Sequence, residues 1–327
     1  MSQLADAGGG AAPPAPLPEP TDVGRVGRRT RGRQRRADAR AGLALISPTL
    51  IIVVVMVVLP ILWTFSMAFQ RIRLLNLRSA GIFGDYTLAN FRGIFTSEGF
   101  WTSLWTTLVY SVGGTASAIV LGLIAALALR KAFRGRTFVR AAMLLPYVAP
   151  VVAATFAWST MLSPQFGIVN YWGQRLLGWD EPIAFLSQVG PALPTVIAFE
   201  AWRSFPFAFL FLTARLQAVP GTLEEAAHVD GATPTQRFWH VILPQLLPTI
   251  AVLSVLRFIW TFNSFDDIYL LTGGGAGTEV VSVRVFNALT ARGDIGVASA
   301  QALVLALILA VLVGLYLRRF RTQEEGA

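Results

Sequence analysis

Six long apolar runs separated by polar intervals dominate the chain. They lie at about Leu43–Ala68, Leu104–Leu129, Phe138–Leu162, Pro191–Leu216, Gln245–Leu271 and Val297–Leu317. An α-helix needs about 20 apolar residues to cross a ~30 Å hydrocarbon core, and each run reaches that length. The pattern predicts an all-α integral membrane protein with six transmembrane helices. Gly and Pro inside several runs are compatible with helices packed against one another in lipid. The first run is too long for the apolar core of a signal peptide, and no small-residue cleavage site follows it, so it is expected to be a retained span.

The polar intervals carry the topology. Residues 1–40 are rich in Ala, Gly, Pro and Arg and nearly free of large apolar residues. Such a segment buries too little surface to fold and is expected to be a disordered basic tail. Residues 41–320 form the membrane domain, followed by a short tail at 321–327. Six spans put both termini on one side. With the termini in the cytoplasm, eighteen Lys and Arg fall inside and seven outside. That bias fits the positive-inside rule, although the first outer loop alone holds Arg71, Arg73, Arg78 and Arg92. Residues 163–190 and 273–296 are then external. Within the former, Asn170–Trp179 reads as a short interfacial helix with Tyr171, Trp172 and Trp179.

Composition narrows the chemistry. The chain is 54% hydrophobic and 14% charged, against about 25% charged in a usual soluble domain. The net charge of +9 does not point to nucleic acid, because eight arginines between Arg25 and Arg40 directly precede the first span. There they hold the segment inside and attract anionic lipid. No cysteine is present, and His228 and His240 are the only histidines. Disulfides and thiolate sites are excluded, and a histidine-based metal or triad site lacks partners. Gly273-Gly274-Gly275 invites a phosphate loop, but the only lysine is Lys131 and follows no glycine pattern. A P-loop needs Gly-Lys-Ser/Thr, so ATP is not bound that way and the glycines read as a flexible external turn.

The interval Thr222–Pro244, TLEEAAHVDGATPTQRFWHVILP, is the most distinctive. Pro220-Gly221 ends the fourth span. Thr222 stands three residues before Glu225, the capping-box spacing, so a helix is expected from Leu223. Glu224 and Glu225 suit its first turn, and Ala226 and Ala227 allow close approach of a partner. Gly231 ends the helix. Thr233-Pro234 starts the next, and Leu243-Pro244 returns the chain to the membrane. On capping logic alone this is equally an ordinary helical hairpin.

The spacing of Glu225-Ala226-Ala227, Asp230-Gly231 and Leu243-Pro244 resembles the EAA loop of bacterial ABC importer permeases. In that family a cytoplasmic helix inserts into a cleft on a separate ATPase. The resemblance implies that Glu224, Glu225, Ala226, Ala227, Asp230, Gly231, Leu243 and Pro244 form the coupling surface. It also implies the type I importer permease fold. Val241 stands where the pattern often has Ile.

Charged groups inside spans are costly and by default functional. Glu200 and Arg203 are three apart on one face of span four, where they can pair with each other. Arg257, Thr261, Asn263, Ser264, Asp266 and Asp267 lie along span five. Trp202, Trp260 and Phe262 could stack on sugar rings or simply pack. Glu200-Ala201-Trp202-Arg203 and Thr261–Asp266 with Leu270–Gly275 resemble the maltose-type, sugar branch of these permeases. The likeness runs from about Leu43 to the end. It implies a solute pathway using Thr261, Asn263, Ser264, Asp266, Glu200, Trp202 and Arg203. It further implies a second related permease, two ATPase subunits that hold ATP and Mg, an external solute-binding lipoprotein, and a sugar as solute. This chain itself would carry no cofactor and no catalytic or metal site, in the bacterial cytoplasmic membrane. The alternatives are a permease of the same fold for a non-sugar solute, or an ion-coupled secondary transporter using Glu200, Asp266 or Asp267.

Overall fold

The computed structural model describes residues 44–79 and 84–324. The predicted tail at 1–40 and the last residues, 325–327, lie outside them. Two compact units are distinguished, Met1–Leu62 and Trp63–Ala327. In the first, the described residues form the start of one apolar helix, α1, Ala44–Ala68, which includes a π-helical stretch at Val54–Val58.

The second unit carries the other spans. After a 3₁₀ segment Leu74–Ser79 come α2 (Ala89–Phe95) and α3 (Glu98–Ala128). Next are α4 (Arg136–Val148), α5 (Val151–Met161), α6 (Ile168–Leu176) and α7 (Ala192–Ala218). They are followed by α8 (Gly221–Val229), α9 (Pro234–Phe262), α10 (Asp266–Thr272), α11 (Val281–Thr290) and α12 (Ile295–Glu324). Among the described residues, five helices are long and apolar enough to cross a membrane, and α4 and α5, bent by 97° at the break between them, pass the same test only when taken together as one broken span.

The third predicted span is therefore not one straight helix. Pro150 lacks the N–H that would continue α4, and it forces the preceding Ala149 out of the helical region, to φ −64° and ψ 136°. The fifth is displaced towards the N-terminus, beginning at Pro234 rather than Gln245. It ends at Phe262 rather than Leu271, Asn263–Phe265 break the chain, and α10 follows as a separate short helix. The glycines after α10 form a defined turn. Gly273 (φ 64°) and Gly274 (φ 82°) take left-handed conformations that side chains disfavour. Thr278 closes the turn onto Gly275 O through its backbone N–H at 3.0 Å. The interfacial helix is present as α6. Asn170 pins it by exchanging hydrogen bonds with the backbone of Ile183 at 2.7 and 3.0 Å. Helix α11, in the predicted outer loop, was not expected, and α12 runs four residues beyond the domain boundary at 320.

Helices α3 and α7 form the most extensive interface. Gly114, Ala118, Gly122 and Ala126 repeat every fourth residue along one face of α3, and all are buried. A Cβ on Gly122 would stand 2.7 Å from Ala208 Cβ and 2.8 Å from the Phe209 backbone nitrogen. Small residues at this spacing let two helix backbones meet where no hydrophobic effect drives association. One apolar cluster joins α3, α7 and α9 near the α8 end, around Leu212, Leu246 and Leu253. Two others, around Phe100 and Phe262 and around Phe199 and Ile268, fill the opposite half.

Candidate functional sites

The α7–α9 connection builds the first site. Helix α8 starts at Gly221 with Pro220 as its N-cap, and no side chain caps it. The expected Thr222–Glu225 capping box is not formed. Pro220 fixes the chain early enough that Thr222 already lies inside the helix. The reciprocal box forms one helix later, where Thr233 Oγ1 accepts from Gln236 N at 3.3 Å and Gln236 Oε1 accepts from Thr233 N at 2.8 Å. Gly231 terminates α8 as expected, with φ 79°.

No residue of α8 is buried. Glu225, Ala226 and Asp230 are exposed, as are Leu223 and Val229, while Glu224 and Ala227 are half-buried. The two adjacent glutamates differ in kind. Glu224 receives a two-pronged ion pair from Arg130, at 2.8 and 2.6 Å, which ties α8 to the turn after α3. Glu225 has no side-chain partner among the described residues. At the re-entry to α9, Leu243 is half-buried and Pro244 exposed, and Arg215 Nε donates to Gln245 O at 2.9 Å. The chain thus presents an exposed, partly acidic and partly apolar helix on a firmly held base.

The second site lies where α7, α9 and α10 converge. Glu200 and Arg203 do not pair with each other. Glu200 pairs with Arg257 of α9, and Ser204 and Thr261 complete the cluster by donating to Glu200 Oε1 at 3.0 and 3.1 Å. Arg203 bonds instead to Asp267 of α10, at 3.1 Å. Each acid thus meets a cation from a neighbouring helix. Glu200, Ser204, Arg257 and Thr261 are all at most 5% exposed. A Cβ on Gly114 would come within 2.9 Å of Glu200 Cγ, so α3 seals the cluster.

The remaining candidates occupy the break after α9. Asn263 is exposed and its Nδ2 caps Ile259 O at 2.8 Å. Ser264 is half-buried, with its carbonyl accepting from Ser282 Oγ at 2.6 Å. Asp266 is exposed. Trp202 is half-buried and packs beside Trp158, with ring centroids 5.5 Å apart. The seven candidates therefore divide. Glu200 and Thr261 are closed inside an ion-pair cluster, and Trp202, Arg203, Asn263, Ser264 and Asp266 retain accessible surface.

Arg257, Asp267 and Arg130 complete these sites although none was placed in the expected coupling surface or sugar pathway; Asp267 had been named only for the ion-coupled alternative. The signal for the first was present: Glu200 with Ser204, and Arg257 with Thr261, are each four apart, one polar stripe on each of two apolar helices. Arg130 gave no such signal, because its partner lies 94 residues away.

The model of the family described as binding-protein-dependent transport system inner membrane component matches residues 118–321, more than half the chain. The inner membrane ABC transporter permease protein YcjO of Escherichia coli is 34% identical over 87% of this chain and 95% of its own length. The trehalose/maltose transport system permease protein MalF of Thermococcus litoralis is 33% identical over 87% and 95% respectively. Among solved structures, a chain of a bacterial ABC transporter involved in import of the acidic polysaccharide alginate superposes with a TM-score of 0.76. It shares 24% identity over 89% of this chain and 99% of that one, a likeness of fold. The fold is thus a known architecture, and this chain belongs to the family of binding-protein-dependent transport system inner membrane components.

Proposed function

We propose that this chain is one of two permease subunits of an ATP-driven sugar importer. The exposed α8 hairpin carries the reading. A helix with no buried residue, braced to the spans by Arg130–Glu224 and Arg215–Gln245, is built to pass force from an external partner into the bundle. That partner is a separate ATPase pair, which holds ATP and Mg. An external solute-binding protein delivers the sugar, and a second related permease supplies the other half of the pathway. ATP drives the cycle through its unequal affinity for the two conformations.

The solute is proposed to pass the break after α9. Asn263 offers an amide donor and acceptor to hydroxyl groups, and Trp202 an aromatic face. Glu200 and Thr261, being closed off, hold α7 to α9 and leave contact with solute to these exposed neighbours. Relatives named for trehalose and maltose transport favour a neutral sugar. Other relatives at similar identity are named for sn-glycerol-3-phosphate transport. Against an anionic solute, both candidate cations of the pathway, Arg203 and Arg257, are already engaged by Asp267 and Glu200.

Proteoliposomes holding both permeases and the ATPase are expected to take up sugar only with ATP inside the ATPase compartment and binding protein opposite. Uptake driven by a proton or sodium gradient without ATP would refute the reading. Asn263→Ala is expected to lower uptake about three- to tenfold, the worth of one or two neutral hydrogen bonds, and by different factors for different sugars. Unchanged uptake of every sugar would remove Asn263 from the pathway.

Both termini and α8 are proposed to face the cytoplasm. The chain has no cysteine, so Gln236→Cys supplies a single exposed thiol beside α8. An impermeant thiol reagent is expected to label it only after the membrane is opened. Labelling in intact cells would invert the orientation.

A further inference from the structure

Four of the seven basic residues assigned to the outer side, Arg71, Arg73, Arg284 and Arg292, converge on one cavity of about 560 Å³. They come from loops far apart in sequence, and the backbone holds those loops together. Leu74 N donates to Gly293 O at 2.8 Å and Gly296 N to Ile72 O at 3.0 Å. Asn90 Nδ2 donates to Ala68 O and Gln70 O, both at 2.9 Å. The only carboxylate among the described lining residues is Asp294, which faces Arg73 at 3.7 Å, and Arg284 pairs with Glu279 outside the lining at 2.8 Å, so the cationic excess rests on Arg71 and Arg292. Arg71 and Arg292 have no side-chain partner among the described residues. The cavity also holds Gln301, 3% exposed, whose Oε1 lacks a hydrogen-bond partner.

An excess of guanidinium groups around a concavity asks for an anion with several oxygens, since each fork can take two of them. The buried Gln301 amide asks for a hydroxyl in the same ligand, because its carbonyl oxygen can only accept. Position selects among such ligands. Ser97 immediately precedes α3, and Val297 and Gln301 sit in the first two turns of α12, so the cavity is level with the start of two spans. Trp101 and Trp105 lie exposed on the first turns of α3, the aromatic mark of a membrane interface. We propose that this cavity binds the phosphoglycerol headgroup of an anionic phospholipid, with the arginines on the phosphate and Gln301 on a glycerol hydroxyl. The orientation proposed above decides only which leaflet supplies the lipid.

Native mass spectrometry of the full chain, released from detergent carrying defined lipids, tests this without transport. Phosphatidylglycerol is expected to be retained over phosphatidylmethanol, which has the same charge and no hydroxyl, and both over phosphatidylcholine. Arg71→Gln with Arg292→Gln is expected to lower phosphatidylglycerol retention roughly tenfold, while the Lys pair keeps most of it. Both arginines are exposed, so folding is not at stake. Gln301→Leu is expected to equalise phosphatidylglycerol and phosphatidylmethanol. Equal retention by the wild type and the Gln pair would overturn the site. Displacement of the lipid by equimolar glycerol phosphate or inorganic phosphate would reassign it to a free anion. Loss of binding-protein capture by the Gln pair with lipid retention intact would reassign it to protein carboxylates.

Discussion

Arg257→Met is expected to destabilise the protein more than any other single change in the spans. Glu200 is 2% exposed, and its charge is met by Arg257 with two hydroxyls. Removing the cation leaves a carboxylate buried with neutral donors only. Breaking such a pair from one side costs about 3–5 kcal/mol, whereas replacing both partners by apolar groups of similar volume is often neutral. Arg257→Met should therefore lower membrane abundance and the midpoint of thermal aggregation of the purified chain. Glu200→Met/Arg257→Met should recover most of the loss. The pair couples residues in direct contact, so the double-mutant cycle is expected to be strongly non-additive. An Arg257→Met protein as stable as the wild type, or a double variant no better than the single, would show that the cluster does not bind α7 to α9.

That cluster also marks where the sequence is readable and where it is not. Hydrophobic length alone located the spans to within two helical turns, because a bilayer imposes one dimension on every helix that crosses it, except the fifth, whose helix runs Pro234–Phe262 against the expected Gln245–Leu271. Breaks inside the runs were harder to see. Ala149-Pro150 sits in a stretch that stays apolar, yet a missing N–H is enough to redirect a helix, and the polar cluster from Asn263 to Asp267 is visible in the sequence but reads as lying along the span. The Glu200–Arg203 pairing failed for a different reason. Spacing along one helix says which groups share a face, but the choice of partner depends on the register between helices. Here Arg257 and Asp267, 57 and 64 residues away, are closer than the neighbour one turn along. The hairpin at Thr222–Pro244 was the most legible element. Its signals are local: a left-handed glycine at Gly231, and a proline with a reciprocal cap at Thr233–Gln236. The start of α8 was misjudged, where Pro220 acts ahead of the Thr222 cap, and the helix begun at Pro234 continues without a break into span five.

Glu225→Ala and Glu224→Gln are expected to disable transport in different ways although the residues are adjacent. Glu225 is exposed, caps nothing and pairs with nothing among the described residues. Its truncation should leave folding within about 0.5 kcal/mol of the wild type. Whatever is lost must then be lost between subunits. If the glutamate meets a cation or backbone donor in the ATPase, removing it strands that group, at a cost of about 2–5 kcal/mol. Co-purification of the ATPase should fall by at least about thirtyfold, and uptake of every sugar should fall with it. Glu224 instead braces α8 against Arg130. Glu224→Gln should leave the ATPase bound and reduce uptake only a few-fold, because a partly exposed pair is worth about 1 kcal/mol or less. Exchanging the charges, Arg130→Glu with Glu224→Arg, should restore uptake. Gly231→Pro should resemble Glu225→Ala, since proline is held near φ −65° and the hairpin turns at φ 79°. Membrane abundance, ATPase co-purification and uptake of several sugars distinguish these cases. Full uptake by Glu225→Ala with the ATPase still bound would remove that glutamate from the contact. Loss of the ATPase from Glu224→Gln would make Arg130–Glu224 part of the docking surface rather than its brace.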